Sequence, residues 1–162
     1  MLPDLSLEGR TAIVTGAGRG IGREIALVLA EAGADIVAAA RTESEINETV
    51  EAVIALGRQA IAVPTDVSKS SDVDSMVATA LDRFGKIDIL VNNAGKLLRL
   101  PVAPFPDVTL SPPRVTRESV TAMTDEAWQS IIAINLTGVC YVCRAVTPPM
   151  SARRYGTILT IA

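Results

Sequence analysis

The sequence predicts an α/β fold, a doubly wound parallel sheet with helices on both faces, on three observations. Short apolar runs alternate with amphipathic stretches of helix length from residue 11 onward. The first three amphipathic stretches each end at a glycine, at Gly33, Gly57 and Gly85. Hydrophobic residues make up 49% of the 162 residues, as strands buried on both faces require. That length supplies one domain with a real core.

Ala12, Ile13 and Val14, bounded by Arg10 and Gly16, form the first expected strand. Ile21, Ile25, Val28, Leu29 and Ala32 then fall on one helical stripe. Residues 35–40 (DIVAAA) are a second strand, and Ile46, Val50, Val53 and Ile54 mark a second helix. Residues 60–63 are a third strand, stopped by Pro64. Ser71 and Asp72 are placed to cap a third helix, whose stripe is Val73, Met76, Val77, Ala80, Leu81 and Phe84. Residues 87–91 are the fourth strand. Strands separated by helices of this length imply right-handed crossovers and a parallel sheet.

Residues 96–123 break the rhythm, with five of the nine prolines. This inserted loop excludes a regular helix or central strand. It reads equally as a substrate-side lid, an oligomer arm or an insertion without catalytic consequence. A long helix then starts at Thr124, Asp125 and Glu126. Its apolar positions include Trp128, Ile131, Ile132, Leu136, Val139, Val142, Cys143 and Val146, on more than one side. Pro148 and Pro149 are expected to stop or kink it. Residues 157–161 (TILTI) read as a fifth strand.

Composition excludes several function classes. A net charge of −3 provides no basic field for nucleic acid. No unbroken apolar run approaches the roughly 18–20 residues of a membrane helix. The first ten residues hold Pro3, Asp4 and Glu8 and lack the pattern of a secretory signal, so a cytoplasmic protein is expected. The absence of histidine removes Ser–His–Asp, Cys–His and His-ligated metal chemistry, and no metal site is expected. Cys140 and Cys143 form a C-x-x-C whose neighbours are apolar, which favours two small residues on a helix face over a redox pair.

The most informative stretch runs Thr15-Gly16-Ala17-Gly18-Arg19-Gly20-Ile21-Gly22, between the first strand and the first helix. A tight strand-to-helix turn needs backbone conformations or approaches that a Cβ obstructs. The helix start then presents unpaired N–H groups and a positive dipole end, a site for a diphosphate. A plain glycine-rich turn is the bland alternative, but four alternate glycines in this context favour the phosphate site.

The spacing T-G-x-x-x-G-x-G, with Asn92-Asn93-Ala94-Gly95 past the fourth strand and Ile134-Asn135-Leu136-Thr137-Gly138 in the long helix, resembles the short-chain dehydrogenase/reductase family. Asp66-Val67 after the third strand also fits. The resemblance covers nearly the whole chain apart from the proline-rich segment. It implies a Rossmann-type sheet of strand order 3-2-1-4-5, without the family's C-terminal strands, and a hydride transfer between a nicotinamide cofactor and a ketone or secondary alcohol. It implies that Gly16, Gly18, Gly20, Ile21 and Gly22 line the pyrophosphate. Asp66 and Val67 would hold the adenine, and Asn93, Ala94 and Gly95 would pass the riboses. For Asp66 the alternative is a turn-forming aspartate helped by Ser68, and Asn92 is open to a role in the sheet.

Cofactor choice follows from charge. NAD sites usually carry an acid about 20 residues past the glycines. Here Ala40 holds that place, Arg41 follows, and Arg19 lies in the glycine turn. Two guanidiniums beside a neutral residue suit a 2′-phosphate, so the sequence predicts NADP(H) over NAD(H). The alternative leaves both arginines to solvent and the ribose to Glu43 or Glu45.

Of the family's catalytic groups only the helix asparagine, implied to support a proton-relay water, can be placed, at Asn135. A polar amide there either bonds the local backbone and bends the helix or faces the site; the I-N-L-T-G context favours the second. No Tyr-x-x-x-Lys is present, since Tyr141 and Tyr155 are followed four residues later by Ala145 and Leu159. The 162 residues are therefore expected to be one dinucleotide-binding domain truncated at its C-terminus and inactive alone. The alternative function is a non-catalytic dinucleotide-binding module. The small-molecule substrate apart, the expected partner is a second copy of the chain, bound through the long helix.

Overall fold

A computed structural model describes residues 6–97 and 123–161. Alternation along the strands decides which helix covers which face. The sheet comprises β1 (Thr11–Thr15), β2 (Asp35–Ala40), β3 (Ala60–Pro64), β4 (Ile89–Asn92) and β5 (Thr157–Thr160). It is parallel throughout, in the order β3-β2-β1-β4-β5. Ile13 stands opposite Val37 and Leu90. These three point to one face, where they meet α3 (Ser70–Phe84) and α5 (Val139–Ala152). Ala12, Val14, Ile36, Ala38 and Val91 point to the other, against α1 (Gly20–Glu31) and α2 (Glu43–Ala55). The expected strand order and two-faced cover are thus present. The proline-rich segment lies outside the described residues except for Lys96, Leu97 and Met123.

Several local expectations are corrected. The stripe that α1 buries is Gly22, Ala26 and Ala30, one position round from the one expected, and Ile21 and Val28 are exposed. Small residues bring this helix close to the sheet; Ile25 and Leu29 pack only at its flank. On α2, Thr49 is buried and Ile54 exposed. Ser71 and Asp72 do not cap α3, which starts at Ser70 after Lys69. Asp72 instead accepts from the Asp66 amide at 3.2 Å, bracing the preceding loop.

The prolines do not stop the long helix. It runs as α4 (Asp125–Ile132), a π-helical turn (Ala133–Gly138) and α5, with Pro148 and Pro149 inside its last turns. Burial of Val146 and Met150 against the core holds those turns despite the missing N–H groups. The continuous helix has 28 residues, and its most apolar window has a mean hydropathy of 1.5. It is long and apolar enough to cross a membrane, against the expectation from unbroken runs, because isolated polar residues such as Asn135 and Thr137 interrupt a run without lowering the window much. Here the inner face of α5 is packed on α3 and β4.

At the N-terminal ends of the strands sits Asp88, fully buried. It accepts from the Thr11 amide at 3.0 Å and from Arg153 Nη2 at 2.9 Å. Lys86 and Arg10 lie 3.7 and 3.8 Å away. Burial raises its pKa, but these hydrogen bonds and the charges of Lys86 and Arg153 outweigh it and hold the carboxyl below the usual aspartate range. One carboxylate thereby joins β1, the start of β4 and the approach to β5. Asp88→Ala is expected to cost about 2–4 kcal/mol in denaturant unfolding, because it leaves the Thr11 amide buried without its acceptor. Since the folded pKa is depressed, the stabilisation is present above about pH 4 and disappears as pH falls through the folded value. Acid unfolding followed by circular dichroism is expected to lose this component in the variant.

Candidate functional site

The described strands end, at their C-terminal side, around a cleft of about 300 Å³. It opens beside β1 and β4, where the strand order reverses, the place at which open α/β sheets take ligands. The walls are the glycine turn, the end of β2, the loop after β3 and the loop after β4.

Thr15 ties two of these walls together. Its hydroxyl donates to the Val91 carbonyl at 3.3 Å and accepts from the amides of Asn93 and Ala94 at 3.0 and 3.1 Å. That uses its one donor and both lone pairs. Asn93 returns the contact, its Nδ2 donating to the carbonyls of Thr15 at 3.0 Å and Gly16 at 3.4 Å. Thr49 fixes the turn from the other side, its hydroxyl donating to the Ala17 carbonyl at 2.9 Å.

Gly16 has φ +67, and a β-carbon there would stand 2.9 Å from the Ala94 Cα. A β-carbon on Gly22 would collide with the Gly16 carbonyl and with Asn93 Nδ2. The turn therefore reaches its close approach only with glycine at both places. Arg19 precedes α1 in an extended conformation and makes no side-chain cap, and the first turn contains no acid. Among the described residues no side chain accepts from the leading N–H groups of α1, and the positive end of the helix faces the cleft.

Nearly all residues singled out from the sequence meet here. Gly16, Gly18, Arg19, Ile21 and Gly22 line the cleft, as do Arg41, Asp66, Val67, Asn93, Ala94 and Gly95. Gly20 does not line it; it opens α1 with φ +56. Asp66 forms the turn considered for it, its Oδ1 accepting from the Ser68 amide at 3.1 Å and hydroxyl at 2.7 Å. Burial raises the Asp66 pKa, yet the Ser68 bonds, with the charges of Lys69 and Arg41, bring it below the usual value. Asn92 serves the sheet: it is buried, and its Nδ2 donates to Cys143 Sγ at 3.3 Å and Thr160 Oγ1 at 3.4 Å. That contact also gives Cys143 a packing partner.

Asn135 lies in the π-helical turn, outside the cleft lining. Its Oδ1 accepts from the Lys96 amide at 2.8 Å and its Nδ2 donates to the Lys96 carbonyl at 3.0 Å. The carboxamide therefore clamps the strand exit 39 positions earlier, with one Oδ1 lone pair and one Nδ2 hydrogen left over. Thr42 and Thr65 are the lining residues that the sequence reading did not name; Thr15 and Ile134 stood in the quoted motifs without a role, and Glu45, the alternative partner for the ribose, also lines the cleft. The T of T-G-x-x-x-G-x-G was the available signal for Thr15.

A family model described as short chain dehydrogenase matches residues 10–162. The chain belongs to the short-chain dehydrogenase family. A 3-oxoacyl-[acyl-carrier-protein] reductase of Synechocystis sp. is 37% identical over 158 residues, 96% of this chain and 56% of that protein. Among solved structures, a metagenomic short-chain oxidoreductase in complex with NADP aligns with a TM-score of 0.77 and 31% identity, over 96% of this chain and 63% of that one. An NAD+-bound xylitol dehydrogenase aligns at 0.78 and 30%, over 94% and 52%. The chain spans about half the length of the curated relatives it matches.

Replacing the Thr15 hydroxyl tests the tie between the walls of this short-chain dehydrogenase cleft. Thr15→Val is expected to cost about 1–3 kcal/mol, by stripping two amides of their acceptor. Hydrogen exchange at Asn93 and Ala94 should accelerate more than exchange at Ile13 or Leu90. Unchanged exchange at both amides contradicts the assignment.

Proposed function

We propose that the protein binds a nicotinamide dinucleotide in this cleft, NADP(H) in preference to NAD(H), and acts as an oxidoreductase on a ketone or secondary alcohol. The observation that carries this reading is the meeting, at one cleft, of an uncapped helix start, a neutral Ala40 and the two arginines Arg19 and Arg41. Gly16 and Gly22 let the turn close against Ala94 and Asn93, and the α1 amides would supply donors to a diphosphate. Arg41 and Arg19 would grip the 2′-phosphate that distinguishes NADP. Asp66 with the Val67 amide would take the adenine, and Ala94 with Gly95 the ribose. Ionised Asp66 offers acceptors only, which suits the exocyclic amine.

The bound cofactor would supply the hydride. What these residues contribute is position and exclusion of water from the dinucleotide. Asn135 acts on this reading as a positioning residue, holding Lys96 and the exit of β4. The kinship with a 3-oxoacyl-[acyl-carrier-protein] reductase and a xylitol dehydrogenase supports a carbonyl or alcohol substrate.

NADPH and NADH titrations by ligand fluorescence test the cofactor assignment. The protein should bind NADPH more tightly. Arg41→Ala should weaken NADPH about tenfold or more, the loss of a charge-assisted contact, and NADH by less than about twofold. Equal loss for both, or none, contradicts the preference.

The long helix is proposed as the contact between copies of the chain. No residue of α4 is buried, and Trp128 and Leu136 are 50% and 64% exposed. Large apolar side chains left exposed along one helix suit an interaction site. Sedimentation velocity is expected to give an oligomer that Leu136→Asp converts to monomer; a monomeric parent protein contradicts this.

A further inference from the structure

The side chain of Glu45 does something that its sequence position does not foresee. Thr42-Glu43-Ser44-Glu45 is a capping-box pattern, in which a glutamate at the third helical position reaches back to the N-cap amide. Here Thr42 makes no side-chain cap, and no hydrogen bond from its amide to Glu45 occurs among the described residues. The carboxylate turns instead to the glycine turn. Its Oε1 lies 3.8 Å from Arg19 Nη1. A β-carbon placed on Gly18 would stand 2.9 Å from Glu45 Oε2 and 3.7 Å from the Ala40 Cβ. The carboxylate and the Ala40 methyl thus flank one point of the cleft wall, on the side of the two arginines.

Resting on the NADP(H) reading of this cleft, we propose that Glu45 is a specificity-determining residue that restrains the preference for NADP(H). It acts in two ways. It engages one of the guanidiniums intended for the 2′-phosphate, and it adds a negative charge beside a group that carries about two more. The first effect is small, because Arg19 is 85% exposed and an exposed ion pair is readily given up. The second is larger, since Glu45 is two-thirds covered and less screened by water. NAD(H), with hydroxyls in place of the phosphate, meets no such repulsion. The other carboxylate of the cleft, Asp66, is held by Ser68 through Oδ1 and makes no ion pair with either arginine among the described residues.

The alternative is a purely structural glutamate. The structural contact at this residue runs through its main chain, whose carbonyl lies 3.2 Å from the Thr49 hydroxyl and shares its one proton with the nearer Ala17 carbonyl, and it survives any side-chain change. Removing the charge while keeping the shape therefore separates the two.

The experiment compares NADPH and NADH dissociation constants for the parent chain, Glu45→Gln and Glu48→Gln. Glu48 is exposed on the same helix and does not line the cleft, so its loss changes the net charge equally. Glu45→Gln is expected to tighten NADPH about three- to tenfold, with NADH within about twofold, and Glu48→Gln to leave both within about twofold. Thermal unfolding of each variant confirms that it is folded; if Glu45→Gln unfolds, Glu45→Ala takes its place with the same expectation. An unchanged NADPH-to-NADH ratio in a parent chain that binds NADPH overturns the role of Glu45 and leaves the cleft assignment standing. An equal response to Glu48→Gln overturns it as a diffuse charge effect. If the parent chain binds neither dinucleotide, the cleft assignment fails and the role of Glu45 falls with it.

Discussion

The Thr15 hydroxyl and the Asn93 carboxamide hold the ends of β1 and β4 together, 78 positions apart in the chain. Neighbouring parallel strands splay at their ends, and at this end the helix following β1 departs to one face of the sheet. Without a tie the carbonyls of Thr15 and Gly16 would face an open seam between the two strands. With it, the seam becomes a floor, and the glycine turn folds over that floor at a fixed height. The height is set by contact: the Gly16 Cα hydrogens meet Ala94, and Gly22 meets Gly16 and Asn93. Position, not flexibility, is what the glycines contribute here.

The same economy of space shapes α1. A helix whose start must meet the cleft has to lie close to the sheet, so its inner face is built from Gly22, Ala26 and Ala30. The larger residues that a hydrophobic stripe would have chosen end up at the flank or in solvent. On the opposite face, α3 and α5 stand further off and fill the gap with Val73, Met76, Val142 and Val146. Charge is divided along the strands as well. At the N-terminal end a buried carboxylate gathers Arg10, Lys86 and Arg153. At the C-terminal end two arginines border a cleft toward which a helix start points. The two ends thus play separate parts, one fastening strands and one shaping a cleft at a helix start.

What was legible in the sequence was local. Strand runs, glycine stops and the third helical stripe are decided by neighbouring residues, and they came through. The glycine turn, Arg41, Asp66 and the Asn93 loop could be assembled because their order along the chain follows strand order. What was not legible was what depends on distance in space. The rotation of α1 reflects how near the sheet it sits. The passage of the long helix through Pro148 and Pro149 reflects burial of Val146 and Met150 beneath them. Asn135 was read as a polar group facing the site, yet it spends its side chain on Lys96 across the fold. Thr42 and Glu45 have the pattern of a cap, and the cap is not made; the Glu45 carboxylate lies instead beside Arg19, from another element.

Dinucleotide binding in this cleft requires the backbone of the glycine turn to be a phosphate-binding surface. Hydrogen exchange read by mass spectrometry, with and without saturating NADPH, tests that most directly. Slowed exchange is predicted at residues 16–22, 65–67 and 93–95, with β5 and the N-terminal strand ends unaffected. Unaltered exchange across the glycine turn, under conditions where the dinucleotide is bound, would contradict it.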